Sequence, residues 1–71
     1  MQTNIPQGTR CLKPTATAKK LDRGISWLWA RLKNDPAFPR PVYLSPKAPV
    51  FLEHEIDAWL ENQVKQSRQA V

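Results

Sequence analysis

Apolar side chains recur in the middle of the chain at helical spacing. Ile25, Leu28, Trp29 and Leu32 stand at i, i+3, i+4 and i+7, which lines one stripe of a 3.6-residue helix. The spacing predicts a helix that turns this stripe to the core. Ser26, Trp27, Ala30, Arg31 and Asn34 then lie on the opposite side, with Lys33 at the flank. Asn34-Asp35-Pro36 ends it, because a residue before proline is pushed out of the α region. A second such stripe, Ile56, Trp59, Leu60 and Val64, predicts a closing helix from Glu53 to about residue 66, its start favoured by Glu53, Glu55 and Asp57. Between the two helices, Val42-Tyr43-Leu44 and Val50-Phe51-Leu52 are strand-like triplets separated by Ser45-Pro46-Lys47-Ala48-Pro49, a pattern for a stiff hairpin. Phe38-Pro39-Arg40-Pro41 is an extended link in which Phe38 plugs the base of the core. Upstream, Pro14 opens a weakly specified helix with Ala18 and Leu21 on its buried face. Arg23-Gly24 breaks that helix, the glycine being expected to supply the positive φ of the turn.

Three helices with a two-stranded hairpin between the second and third form an α+β fold, a small winged helix-turn-helix. A length of 71 residues permits one domain with one thin core. The expected divisions are an N-terminal arm over 1–11, the domain over 12–66 and a frayed end over 67–71. No repeat or low-complexity segment interrupts them. Cys11 is the lone cysteine; it is expected as a small apolar residue near the start of the core, in a protein of a reducing cytoplasm. No apolar run approaches the ~20 residues of a membrane span, and the first ten residues lack the apolar stretch of a secretory signal.

Charge then points to a partner. Residues 1–52 hold nine bases and two acids, whereas residues 53–71 hold two bases and four acids. That polarity suits a body presenting one face to a polyanion while its last helix stays clear. Catalysis finds little support: one His and one Cys make no positioned pair, and His54 belongs to the first turn of an acidic helix. Two glycines cannot write a phosphate-cradling loop. Neither a metal nor a cofactor is expected, and the chain is read as a non-enzyme.

Duplex DNA fits better, since the second helix is thin enough for the major groove and cations surround it. Arg31 has the planar fork that matches guanine O6 and N7, Asn34 matches adenine, Ser26 can donate to base or phosphate, and Ala30 leaves room for a thymine methyl. Lys47 at the hairpin apex is expected on phosphate or in the minor groove, with Lys19, Lys20, Arg23, Lys33 and Arg40 as backbone clamps. Trp27 is the odd residue, facing outward although its ring wants cover. It packs on DNA, on a neighbouring protomer, or back against the first helix. The rival reading is therefore a winged-helix protein-interaction module that uses Trp27. RNA is disfavoured, because its A-form major groove excludes a helix.

Two motifs, SWLWARLKNDPAFPRPVYL and FLEHEIDAWLE, carry a resemblance. From Leu12 to Leu60 the chain resembles the AlpA family of phage and integrative-element regulators, small winged helix-turn-helix proteins related to MerR-like DNA-binding domains and to excisionases. Family members show an F-P-[KR]-P link, matched by Phe38-Pro39-Arg40-Pro41, and an I-D/E-A-W ending, matched by Ile56 to Trp59. The resemblance implies a regulator of a prophage or other mobile element that acts in transcription, as a directionality factor for excision, or both. It implies a recognition helix over 26–34 and a wing over 42–52. The implied partners are attachment-site or promoter DNA, neighbouring copies of the protein, and an integrase. Arg23-Gly24-Ile25 and Trp27 depart from the family pattern, where an apolar-Ser-Arg approach and a small Thr are usual.

Overall fold

The computed structural model describes residues 9–69. Its elements run β1 (Cys11–Leu12), α1 (Pro14–Lys20), α2 (Ile25–Asn34), β2 (Val42–Tyr43), β3 (Pro49–Leu52) and α3 (Glu53–Gln69). The expected α+β architecture of three helices is present, with the hairpin between α2 and α3. The sheet, however, has three strands in the order β1-β3-β2. Antiparallel pairing sets Cys11 opposite Leu52 and Leu12 opposite Phe51, while Val42 faces Val50 and Tyr43 faces Pro49. Cys11 thus already belongs to the sheet, one residue ahead of the expected domain boundary. It is also exposed, contrary to the expectation of a core position. Residues 1–8 of the expected arm and 70–71 of the expected frayed end lie outside the described residues, and α3 continues past residue 66 to Gln69.

The helix-turn-helix corner is built from backbone hydrogen bonds. Pro14 opens α1 at its first turn, where its missing N–H costs nothing. At the other end the Arg23 amide donates to the Ala18 carbonyl (2.8 Å) and the Asp22 amide to that of Lys19 (2.9 Å). These two bonds make a Schellman motif. The left-handed residue is Asp22, at φ 57°, rather than Gly24, which sits at φ −84° as the N-cap of α2. Asp tolerates that conformation because its short polar side chain can bond locally.

A cluster of Ala18, Leu28, Phe38, Phe51, Ile56 and Trp59 forms the core, with Leu21, Trp27 and Leu32 packed on its edge. Phe38 plugs it as expected. Its ring lies 4.9 Å from that of Trp59 and 6.1 Å from that of Phe51, both edge-on, the arrangement the ring quadrupole favours. Thr17, fully buried, satisfies its hydroxyl by donating to the Lys13 carbonyl at 3.0 Å.

The expected stripe of α2 is corrected by this packing. Leu28 and Leu32 do face inward, but Ile25 and Trp29 are exposed, and Trp27 takes the inward place beside them. The helix is turned by roughly 80° about its axis from the expected orientation, at ~100° per residue. The cause is aromatic: Trp27 meets the edges of Phe38 (6.4 Å) and Trp59 (6.3 Å), contacts that Trp29 on the far side lacks. Leu60 likewise stays largely exposed on α3 while Ile56 and Trp59 are buried.

Candidate nucleic-acid interface

The face that α2 offers to solvent comprises Ile25, Ser26, Trp29, Ala30, Lys33 and Asn34. Three residues expected to contact bases, Ser26, Ala30 and Asn34, therefore share one face, with Lys33 at its flank. Trp27 and Arg31 stand at its margin. Their remaining exposed edges line a shallow hollow with Ala30 and Asn34.

Arg31 is engaged within the molecule. Its guanidinium carbon lies 5.6 Å from the Trp27 ring centre and 5.3 Å from that of Trp59, and its Nε is 3.6 Å from Asp35 Oδ2. Nε itself is buried without a hydrogen-bond partner, so the contact with Asp35 is one of charge. Cation and ring quadrupole attract, the more so where water is thinned. The side chain keeps 37% exposure.

Asp35 organises the loop that carries the chain from α2 to the hairpin. It closes α2 by donating its amide to the Arg31 carbonyl at 2.8 Å. Its carboxylate accepts from the Ala37 amide at 2.9 Å and from Trp59 Nε1 at 3.3 Å. Its carbonyl accepts from the Phe38 amide (3.1 Å) and from Arg40 Nη2 (2.8 Å), and Arg40 Nε also donates to the Phe38 carbonyl at 3.2 Å. One short acid thus fixes the helix end, the aromatic plug and the start of the link.

The hairpin is tightened by a turn in which Ala48 donates back to Ser45 (3.0 Å) and Leu44 donates to Ala48 (3.1 Å). Pro46 sits at the second turn position, where its fixed φ is already right. Pro49 belongs to β3 opposite Tyr43, so the five connecting residues are Leu44 to Ala48, one position earlier than expected. Lys47 is left at the apex, exposed.

The expected phosphate clamps divide into two groups. Lys19, Lys33 and Lys47 are exposed and carry no ion pair among the described residues. Arg23 is exposed too, 5.8 Å over the Trp27 ring. Arg40 is hydrogen-bonded to loop carbonyls, and Lys20 bridges α1 to α3, 3.1 Å from both Glu53 and Asp57. Those hydrogen bonds, that to Asp57 first, raise the Lys20 pKa above its ordinary 10.5.

Sequence reasoning missed Ile25 and Trp29 as surface residues. A signal for them was present: Trp27, Leu28, Arg31 and Leu32 form an equally regular stripe, and Asp35 stands four residues beyond Arg31 as an i, i+4 partner. His54 stays half-buried in the first turn of α3, its Nδ1 unpartnered. Among the described residues no group of His, Cys, Asp and Glu is disposed to hold a metal, and no helix is long and apolar enough to cross a membrane.

Comparison with curated proteins and with solved structures gives no match. The model of the family described as Prophage CP4-57 regulatory protein (AlpA) matches residues 18–64, about two-thirds of the chain, from the end of α1 through most of α3. The chain belongs to the AlpA family of prophage regulatory proteins.

Proposed function

We propose that the protein is a sequence-specific duplex-DNA-binding regulator of a prophage or integrative element, working in the cytoplasm without catalysis of its own. The observation that carries this reading is the solvent face of α2, where Ser26, Ala30, Lys33 and Asn34 are exposed together, on a helix whose Ile25 and Trp29 share a groove with the hairpin and its apical Lys47. A helix of ten residues is thin enough for a major groove, and a cationic hairpin next to it suits the flanking backbone. Asn34 has the amide that pairs bidentately with adenine, and Ser26 at the helix start suits a base or a phosphate. Lys19, Arg23 and Lys33 serve as phosphate contacts. Arg31, Trp27, Lys20 and Arg40 shape the surface from within; any contact they make with DNA comes from their exposed edges.

A single module this small covers little DNA, so neighbouring copies on repeated sites, or an integrase, supply the remaining affinity. Bending of attachment-site DNA by several copies would give an excisionase role, and occupancy of a promoter a transcriptional one. The rival protein-interaction reading rested on an outward Trp27, and that ring packs instead on Phe38 and Trp59.

Fluorescence anisotropy on random and element-derived duplexes tests the proposal. At ~50 mM salt binding is expected to both, tighter to the element's own sites, and weakening steeply as salt rises. Absence of duplex affinity at that salt would overturn it. An excision assay and a promoter reporter, each with and without the protein, then separate the two biological roles.

A further inference from the structure

The solvent face of α2 carries two large apolar side chains beside its polar ones. Ile25 is 37% and Trp29 39% exposed, and both line a groove of about 610 Å³ that α2 shares with Leu44 and Pro49 of the hairpin. Ile25, Trp29, Leu44 and Pro49 lie together in that groove, and it is a contiguous apolar patch, rather than a single exposed ring, that marks a contact surface. Charge says what kind of partner fits. Lys13 and Lys47 line the groove, and no carboxylate does, which suits a polyanion. Within a major groove the apolar feature of the base edges is the thymine C5 methyl group. The side chain best suited to guanine, Arg31, is meanwhile held against the Trp27 and Trp59 rings beside Asp35.

We infer that α2 reads its site through thymine methyl groups packed against Trp29 and Ile25. One DNA strand lies in the groove between α2 and the hairpin, its phosphates held by Lys13 and Lys47. This rests on the duplex-binding reading above and adds to it the chemical feature that is recognised and the residues that recognise it. Ser26, Lys33 and Asn34 contribute polar contacts alongside, while discrimination at the positions facing Trp29 comes from a methyl group and the exclusion of water around it.

The test uses duplexes that the full chain recovers from a random-sequence pool, resynthesised with deoxyuridine replacing thymidine one position at a time. The sole chemical change is loss of the C5 methyl. Affinity is expected to fall about fourfold per methyl, the transfer cost of one buried carbon, at positions clustered on one face of the duplex. The Trp29→Ala variant should bind the thymidine and deoxyuridine duplexes alike with an unchanged salt slope, whereas Trp29→Phe should keep part of the discrimination. Trp29 lies outside the buried cluster, and circular dichroism checks that both variants fold.

Equal affinity of the unaltered protein for both kinds of duplex overturns the inference while leaving DNA binding intact. So does discrimination that survives in both Trp29→Ala and Ile25→Ala. Failure to recover any duplex overturns this inference and the duplex-binding reading together. If the protein sediments as a dimer that Trp29→Ala separates into monomers, the groove belongs to a second copy and the inference falls.

Discussion

Asp35 and Arg31 show how residues with ordinary surface chemistry become structural through their neighbours. Asp35 bonds the Ala37 amide and Trp59 Nε1 and faces Arg31, while the Arg31 guanidinium rests against Trp27 and Trp59. Two cation–ring contacts of about 0.5–1 kcal/mol each, plus the buried stem, predict that Arg31→Ala destabilises the domain by about 1–2 kcal/mol, seen as a lower urea midpoint. A base-reading arginine would behave differently, its removal leaving the midpoint unchanged while DNA affinity fell. The i, i+4 spacing of Arg31 and Asp35 was legible in the sequence. The pair of rings against which Arg31 rests was not, since Trp59 is remote along the chain and its approach depends on how α3 docks.

Among the elements, the corner between α1 and α2 has a left-handed residue at Asp22 and an uncapped helix start at Gly24. A β-branched side chain suffers at positive φ, so Asp22→Val should cost about 1–2 kcal/mol, whereas Asp22→Gly should be tolerated. At Gly24 the backbone is extended and a Cβ would meet nothing within 4 Å. Gly24→Ser therefore adds an N-cap and restricts the unfolded chain, raising stability by about 0.5–1 kcal/mol, read as a higher melting temperature. The exchange of roles between the two residues was hidden in the sequence, because Asp and Gly both suit a turn.

Lys20 ties α1 to α3 through Asp57 and Glu53. Its folded pKa lies above the ordinary 10.5. Its stabilising contribution is therefore complete below that value and disappears as pH rises through the higher folded one. Between neutral pH and pH 10 the melting-temperature gap between the protein and Lys20→Met should hold steady, then close on further alkalinisation. The pair is solvent-exposed, so the gap should also shrink with added salt.

For the whole molecule, the charge polarity along the chain becomes a division of labour among cations. Lys47 at the hairpin apex and Lys33 on α2 are free for phosphate, while Lys20 is neutralised by its two acids. Lys47→Ala and Lys33→Ala should each lower the magnitude of the log–log salt slope of duplex binding by about 0.9. Lys20→Ala should change it far less. Equal effects of all three variants would mean that net charge alone, rather than placement, governs binding.

The sequence by itself determined which segments are helical, where proline and acid end them, that a hairpin stands between the second and third helices, and that the positive charge lies ahead of α3. Those features follow from periodicity and local chain chemistry, which neighbouring residues settle among themselves. Tertiary structure alone decided the rotation of α2 about its axis and with it which of Trp27 and Trp29 meets solvent. It also decided that Cys11–Leu12 joins the sheet. The physical reason is the same in both cases. A two-residue strand has no period to read, and an amphipathic helix with apolar side chains on two overlapping stripes is oriented by what it packs against. Here that surface comprises Phe38 and Trp59, gathered from a loop and a helix that follow later in the chain.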